Sequence, residues 1–267
     1  MAETYTPLFE FDVLQMYFGD DYKINDKIII HQPSIQEIVD WGEHRYYSMV
    51  HTLCSIPSDA KSALYDDGID WEEISDFEYF IKVAQNYQKS ETSIIFGELD
   101  FTSMIITVDS TNGQLILYDT VNDIKIDTYM YQKMIDYVRQ MHQIVPSPEK
   151  AFNKRTKLAL IEFDRAEKRK ASQEKRKSIL QPLISAMVNS AGFKYKLNEL
   201  REIKIVEFMD SVKRIQVIKS ADALLSGTYS MVDTKKINKK DYDWTRELTS
   251  SGNRGENLRI PNKENKA

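Results

Sequence analysis

The sequence predicts an α+β fold that is mostly helical. A helix-rich N-terminal domain with a small antiparallel sheet comes first, then a long charged helix and a helical C-terminal domain. The 267 residues include only 9 Gly and 7 Pro, too few for the tight turns of an all-β sandwich, whereas 42% of them are hydrophobic, enough for a packed core. Apolar residues recur at helical spacing in most segments, and the clearest strand-like runs flank one turn signal, Asn112-Gly113.

Changes in composition predict the domain boundaries. Pro146 and Pro148 close the N-terminal part, and the segment that follows is highly charged. From Ser250 onward Gly, Asn, Lys and Glu dominate, as in disordered tails. We therefore expect an N-terminal domain, a charged connecting helix, a C-terminal domain and a disordered tail over residues 1–148, 149–178, 179–249 and 250–267.

The N-terminal elements begin with an aromatic-rich segment over residues 1–26. Residues 27–31 are short and β-branched, which favours a strand. Ser34 and Glu37 have the spacing of a capping box, in which each side chain accepts a hydrogen bond from a free backbone N–H of the first helical turn. An apolar stripe extends this predicted helix to Leu53.

Three shorter helices are predicted next. The first covers residues 58–66 and ends at Gly68, where a glycine suits a helix C-terminus. The second begins near Asp70, which we interpret as its N-cap. The third is brief, lies near Ser93 and ends at Gly97.

The clearest β signal is a hairpin. Residues 101–108 and 114–118 flank Asn112-Gly113, a pair that tolerates the positive φ of a tight turn. Residues 123–127 add a third strand, and an apolar-striped helix over residues 130–141 follows.

The C-terminal half is helical by pattern. Residues 153–178 predict a long exposed helix with few apolar anchors, namely Leu158, Ile161 and Phe163. Pro182 starts or kinks the next apolar helix, over residues 179–190. A short helix over 197–203 precedes a longer one from 205 onward that has a good core stripe.

Charge is divided unevenly along the chain. Residues 1–127 hold 24 acidic and 7 basic side chains, a net charge of −17, so the remainder, with 17 acidic and 29 basic side chains, carries +12. This asymmetry suits a basic segment that binds nucleic acid or an acidic partner. We favour two halves that attract each other, or a homo-oligomer whose copies stack head to tail, because acidic residues are interleaved in the basic half.

The single cysteine, Cys54, excludes a disulfide framework and suits a reducing cytosol. The start of the chain lacks the basic leader and apolar run of a signal peptide, and no apolar stretch approaches the ~20 residues that span a bilayer. We expect a soluble cytoplasmic protein without a membrane partner.

The sequence predicts no catalytic, cofactor-binding or metal-binding residues. His44 and His51 share a possible helix face with Asp40, but zinc sites need more ligands at tighter spacing. The acidic run over residues 66–73 lacks the ligand alternation of a calcium loop. Glycine-rich phosphate loops and a nucleophile elbow are also missing, so we expect a non-enzyme.

Nucleic-acid binding is an alternative function. Residues 150–177 hold 11 basic side chains, and residues 197–219 resemble a helix-turn-helix. The possible phosphate contacts are Lys168, Arg169, Lys170, Lys175, Arg176 and Lys177. Acidic residues lie among these basic residues, however, as in solvent-exposed helices with i,i+4 ion pairs. In addition, the helix that would enter the DNA groove has apolar residues at its periodic positions, as a core helix does.

Several segments together match a known pattern. They are residues 19–22 (GDDY), 24–30 (INDKIII), 56–59 (IPSD), 68–78 (GIDWEEISDFE), 183–190 (LISAMVNS), 207–212 (EFMDSV) and 224–230 (LLSGTYS). They resemble a family of tail-module proteins from phages and prophages of Gram-positive bacteria, and the resemblance spans residues 12–247.

Members of that family resemble tail assembly chaperones, which bind the tape-measure protein and tail-tube subunits before polymerisation. The resemblance therefore implies a non-enzymatic protein of tail morphogenesis in the host cytoplasm. Such a chaperone would shield helical, apolar segments of its client, using an amphipathic groove or helix. A structural tail or baseplate component of the virion is the first alternative, within the same phage context, and the nucleic-acid-binding function above is the second.

Overall fold

The computed structural model describes residues 8–173, 177–228 and 243. In this part of the chain the predicted fold class is confirmed, with eleven α-helices and two small antiparallel sheets. The helices are α1 Val13–Phe18, α2 Ile35–Trp41, α3 Glu43–Cys54, α4 Lys61–Asp66, α5 Asp76–Ala84, α6 Lys89–Phe96, α7 Thr128–His142, α8 Lys154–Gln173, α9 Leu180–Val188, α10 Leu197–Leu200 and α11 Ile205–Thr228. The strands are β1 Tyr22–Lys23, β2 Ile29–Ile30, β3 Ile105–Val108, β4 Leu115–Asp119 and β5 Ile124–Ile126. The predicted tail over residues 250–267 lies outside the described residues.

Local sequence signals account for several elements. The capping box at the start of α2 is confirmed, because the Ser34 hydroxyl accepts a hydrogen bond from the N–H of Glu37 at 3.2 Å and the Glu37 carboxylate accepts one from the N–H of Ser34 at 2.6 Å. Gly97 ends α6 as predicted, with a φ of +57°. The hairpin and its third strand are also confirmed, with Ile106 opposite Leu117 and Leu117 opposite Ile126.

The prediction of one helix from Ser34 to Leu53 is wrong in one respect, because this segment forms two helices, α2 and α3. Gly42 ends α2 and precedes α3, with a φ of +100° and a ψ of +104°. An L side chain rarely adopts this backbone conformation, whereas glycine adopts it without steric cost. The apolar stripe runs through both helices, so the spacing alone did not reveal the break.

The predicted N-cap at Asp70 is wrong. The helix that follows, α5, begins at Asp76 and is capped by Ser75, whose hydroxyl accepts a hydrogen bond from the N–H of Glu78 at 3.2 Å. The Asp70 carboxylate instead accepts a hydrogen bond from the N–H of Glu72 at 3.0 Å. Residues 70–74 therefore form a turn that connects α4 to α5.

Other boundaries also differ. The aromatic-rich first segment contains α1, which sequence reasoning missed although Asp12 caps its start and Gly19 its end. The strand predicted over residues 101–108 begins only at Ile105, because Asp100 organises residues 101–103 into a turn by accepting hydrogen bonds from Thr102. The strand predicted over 27–31 is reduced to β2, which pairs with β1.

One large hydrophobic cluster contains residues from both predicted domains. Tyr46 and Met134, from the N-terminal part, are 0% exposed, as is Phe208 from α11. Leu180 and Leu200 belong to the same cluster. The division into domains stays a prediction, but the described helices of both segments bury their apolar faces together.

Backbone hydrogen bonds also join α2 to the segment before α11. The N–H of Ile35 donates to the carbonyl of Ile203 at 3.0 Å, and the N–H of Ile205 donates to the carbonyl of Pro33 at 3.0 Å. The N–H groups of Ile179 and Leu180 donate to the Glu43 carboxylate at 2.5 and 2.6 Å. These contacts anchor α9 and α11 to the N-terminal helices.

The long charged helix is confirmed as α8. Its one fully buried side chain, Ile161, packs in a second, small cluster with Leu64, Trp71 and Tyr79. Of the other two predicted anchors, Leu158 is 43% and Phe163 is 62% exposed. The helix therefore rests on a narrow apolar contact and offers most of its surface to solvent.

Candidate protein-binding groove

A groove lies between α8 and the segment made of α4 and the turn that follows it. We call it the α4–α8 groove. It encloses about 490 Å³, within the ~300–1,000 Å³ usual for binding pockets. Its apolar lining consists of Tyr65, Ile69, Trp71, Leu158 and Ile161, and its polar lining includes Asp70, Lys154 and Lys157.

Apolar side chains form both the floor and the rim of the groove. Trp71 and Ile161 are 4% and 1% exposed and make the floor, while Tyr65 and Leu158 are 48% and 43% exposed at the rim. The indole Nε1–H of Trp71 donates to the carbonyl of Glu149 at 3.3 Å, which satisfies the polar atom of the ring. The groove therefore presents aromatic and aliphatic surface that is ready to be covered.

Lys157 holds α8 against the turn after α4. Its ammonium pairs with the carboxylates of Asp70 and Glu72, at 2.7 Å in the second case, and lies 4.6 Å from the centre of the Trp71 ring. Burial opposes the charged form of Lys157, but its hydrogen bonds with both carboxylates raise its pKa. The hydrogen bond from Lys157 and one from the backbone N–H of Ala151 lower the pKa of Glu72.

Two further contacts fix α8 on α4. Arg165 pairs with Asp66 and lies 5.7 Å from the centre of the Tyr65 ring. The hydroxyl of Ser62 donates to the Asp164 carboxylate at 2.5 Å. Polar contacts thus lie beside the narrow apolar interface and hold α8 on α4.

The charges of the groove are mostly balanced internally. Lys157 is neutralised by its two carboxylate partners, whereas Lys154 makes no ion pair with the described residues. What the groove offers a ligand is apolar contact at its floor and rim, with one ammonium at the edge. This chemistry suits one or two large apolar side chains that project from a partner.

Of the basic residues predicted to contact nucleic acid, Lys168 pairs with an acidic side chain of its own helix. Lys168 donates to the Asp164 carboxylate at 2.7 Å, while Arg169, Lys170 and Lys177 are exposed. Lys175 and Arg176 lie outside the described residues. Their role in nucleic-acid binding stays a prediction.

The segment over residues 197–219 that resembles a helix-turn-helix packs against the core. Its first helix, α10, has four residues. The second helix, α11, buries Ile205, Phe208 and Val212, which are 1%, 0% and 7% exposed. The apolar face of this helix is therefore occupied by contacts within the chain.

The metal candidates from the sequence do not converge. Gly42 separates Asp40 on α2 from His44 and His51 on α3, and Asp40 accepts a hydrogen bond from the amide of Gln36 at 2.6 Å. Within residues 8–173, 177–228 and 243, no three His, Cys, Asp or Glu side chains come together as a metal site requires.

Two polar pairs involve side chains of α7 that do not line the groove. Arg139 donates from Nη1 to Asp136 at 3.3 Å and from Nε to the carbonyl of Cys54 at 3.0 Å. The His142 ring contacts the carbonyl of Val138 through Nδ1 at 2.9 Å and the Tyr46 hydroxyl through Nε2 at 2.6 Å. Burial lowers the pKa of His142 to about 4, so the imidazole is neutral at pH 7 and the Tyr46 hydroxyl donates to Nε2.

Sequence reasoning identified Leu158 and Ile161 as apolar anchors of a charged helix but did not place them in a groove. The sequence did not predict that Tyr65 and Trp71 pack beside these two residues. They lie far from α8 in the sequence, and a local pattern does not report contacts between distant residues. An exposed leucine on an otherwise charged helix was the available hint.

Comparison of the chain with protein-family models, with curated proteins and with solved structures finds no match in any of the three. None of the described helices combines the length and apolar character that a membrane crossing requires.

Proposed function

We propose that this chain is a non-enzymatic phage tail assembly chaperone. It acts in the host cytoplasm and binds tape-measure or tail-tube protein before the tail polymerises. Two independent lines support the proposal. The sequence resembles tail-module proteins of phages and prophages, and the α4–α8 groove supplies the amphipathic surface that such a chaperone needs.

The observation that carries the proposal is the exposed apolar rim of the groove. Tyr65 and Leu158 line the groove and are 48% and 43% exposed, whereas Trp71 and Ile161 line it and are buried. A helical client segment that inserts an apolar side chain here would cover both rim residues and exclude water from the floor. The ammonium of Lys154 favours a client segment with an acidic residue beside its apolar anchor.

Affinity pull-down with mass spectrometry from cells that produce the phage tests the proposal. We expect the wild-type chain to recover tape-measure or tail-tube protein. Leu158→Lys places an ammonium at the rim, and we expect it to reduce this recovery by about tenfold or more, the effect of losing ~1.4 kcal/mol of binding free energy.

The matched control is Phe163→Lys, which makes the same type of change on the same helix at a more exposed residue outside the groove lining. We expect it to recover the client like the wild-type chain. Equal losses in both variants would argue against the groove, because the added charge on α8 would then explain them.

Purified virions analysed in parallel separate the proposal from its alternatives. A chaperone should be absent from the particle, whereas stable presence there would favour a structural tail or baseplate component. Recovery of nucleic acid alone, with steep loss of binding at high salt and on neutralising Lys168, Arg169 and Lys170, would favour the nucleic-acid alternative.

A further inference from the structure

The three-stranded sheet has an open edge. Its strand order is β3-β4-β5, and β3 pairs with β4 alone. Among the described residues, no backbone hydrogen bond other than those to β4 involves residues 105–108. The outward-facing N–H and C=O groups of β3 are therefore positioned to pair with another strand.

Two side chains of β3, Ile106 and Val108, are also uncovered, although they belong to the face of the sheet that is buried on β4 and β5. Ile106 lies opposite Leu117, and Leu117 lies opposite Ile126, so all three point to one face. Leu117 and Ile126 are 0% exposed, whereas Ile106 is 52% exposed. Val108, on the same face, is 59% exposed. The layer that covers β4 and β5 stops before β3.

This edge lacks the usual protection against pairing. Natural edge strands carry lysine or proline, whereas β3 consists of Ile, Ile, Thr and Val. The charged residue nearest to β3 in the sequence is Asp109, which is 7% exposed and pairs with Lys125 of β5. The hydrogen bond from Lys125 and those from Thr111 lower the pKa of Asp109 to about 2, so this carboxylate is ionised at neutral pH and already paired with Lys125.

We propose that β3 pairs with β3 of a second copy of this chain, antiparallel and about a twofold axis, to form a continuous six-stranded sheet. The strand suits itself as a partner, because pairing sets β-branched apolar side chains against their equivalents and brings no like charges together. Cross-strand contacts between the two copies then partly cover Ile106 and Val108 on one face and Ile105 on the other. This inference is independent of the client-binding groove, which lies on other elements.

Two four-residue strands bury less than the ~1,200 Å² of a standard interface, so the dimer is reversible and forms with increasing concentration. Its response to salt is specific. The strand β3 lies in the acidic half of the chain, which carries a net charge of −17. Added salt screens the repulsion between the two acidic halves, so it strengthens pairing through the uncharged strand. If the copies instead stacked head to tail, with the acidic half of one on the basic half of the next, added salt would weaken their association.

Sedimentation velocity of the full chain over a wide concentration range tests the dimer. We expect the wild-type chain to shift from monomer to dimer, and Ile106→Lys and Val108→Lys each to raise the dissociation constant by about tenfold or more, since like charges then meet across the edge. Val121→Lys is the matched control, because Val121 is 88% exposed in the turn between β4 and β5 and adds the same charge away from the edge.

Circular dichroism and thermal unfolding establish that each variant is folded before its association is compared. A wild-type chain that is monomeric throughout would overturn the proposal, as would a dimer that the two edge variants leave intact or that salt weakens. If the wild-type chain is monomeric and Ile106→Lys reduces the recovery of tail protein, the edge strand binds a client strand instead. This result would also overturn the proposed dimer.

Discussion

Replacing Arg139 with methionine is expected to destabilise the protein by about 3–5 kcal/mol, the usual cost of removing one partner of a buried ion pair. The side chains of Arg139 and Asp136 are 4% and 0% exposed, so the variant removes the Arg139 cation from a fully buried carboxylate. It also removes the hydrogen bond that Arg139 donates to the carbonyl of Cys54, which ties α7 to the end of α3.

Urea unfolding followed by circular dichroism measures this loss. Gln140→Met is the control on the same helix, because residue 140 is exposed and its replacement should change the free energy of unfolding by no more than ~0.5 kcal/mol. The double variant Arg139→Met with Asp136→Leu should be more stable than Arg139→Met alone, because it also removes the buried carboxylate that Arg139 faces in the wild-type chain. A loss below ~1 kcal/mol in the single variant would contradict a buried pair.

Phe208→Ala is expected to cost about 3–5 kcal/mol, as for other fully buried aromatic residues, and to loosen the N-terminal helices as well as α11. Phe208 is 0% exposed and lies in the same cluster as Tyr46 and Met134. Because the described helices of both segments share this cluster, we expect them to unfold in one cooperative transition.

Hydrogen exchange resolved by peptide is the measurement for this prediction. In Phe208→Ala, the amides of α7 and α11 should lose protection together. Leu225→Ala, at a residue of α11 that is 39% exposed, should leave both unchanged. Faster exchange in α11 with full protection in α7 would show two independent units and would support the domain division predicted from the sequence.

The parts of the fold that were predictable from sequence depend on neighbouring residues. The capping box of Ser34 and Glu37 and the hairpin at Asn112-Gly113 place the relevant side chains within a few residues, so the pattern carries the structure. The break at Gly42 was not predictable in this way, because an isolated glycine within an apolar stripe also occurs in continuous helices.

The α4–α8 groove depends on contacts between distant residues. Lys157 and Asp70 are 87 positions apart, and the sequence offered a different partner for Asp70, the start of a helix. The attachment of residues 203–205 to residues 33–35 is made by backbone groups, which every residue carries, so no side-chain pattern reports it. The exposure of Ile106 and Val108 on β3 was likewise not predictable, because it depends on which distant residues pack over the sheet.

Site-specific photocrosslinking from the groove tests the central proposal most directly. A photoreactive phenylalanine analogue replaces Leu158 in one variant and Phe163 in a control, both in cells that produce the phage. Binding of a client in the α4–α8 groove predicts a crosslink from position 158, but not from position 163, to an apolar helical segment of tape-measure or tail-tube protein. Equal crosslinking from both positions, or no tail protein captured from position 158, would contradict it.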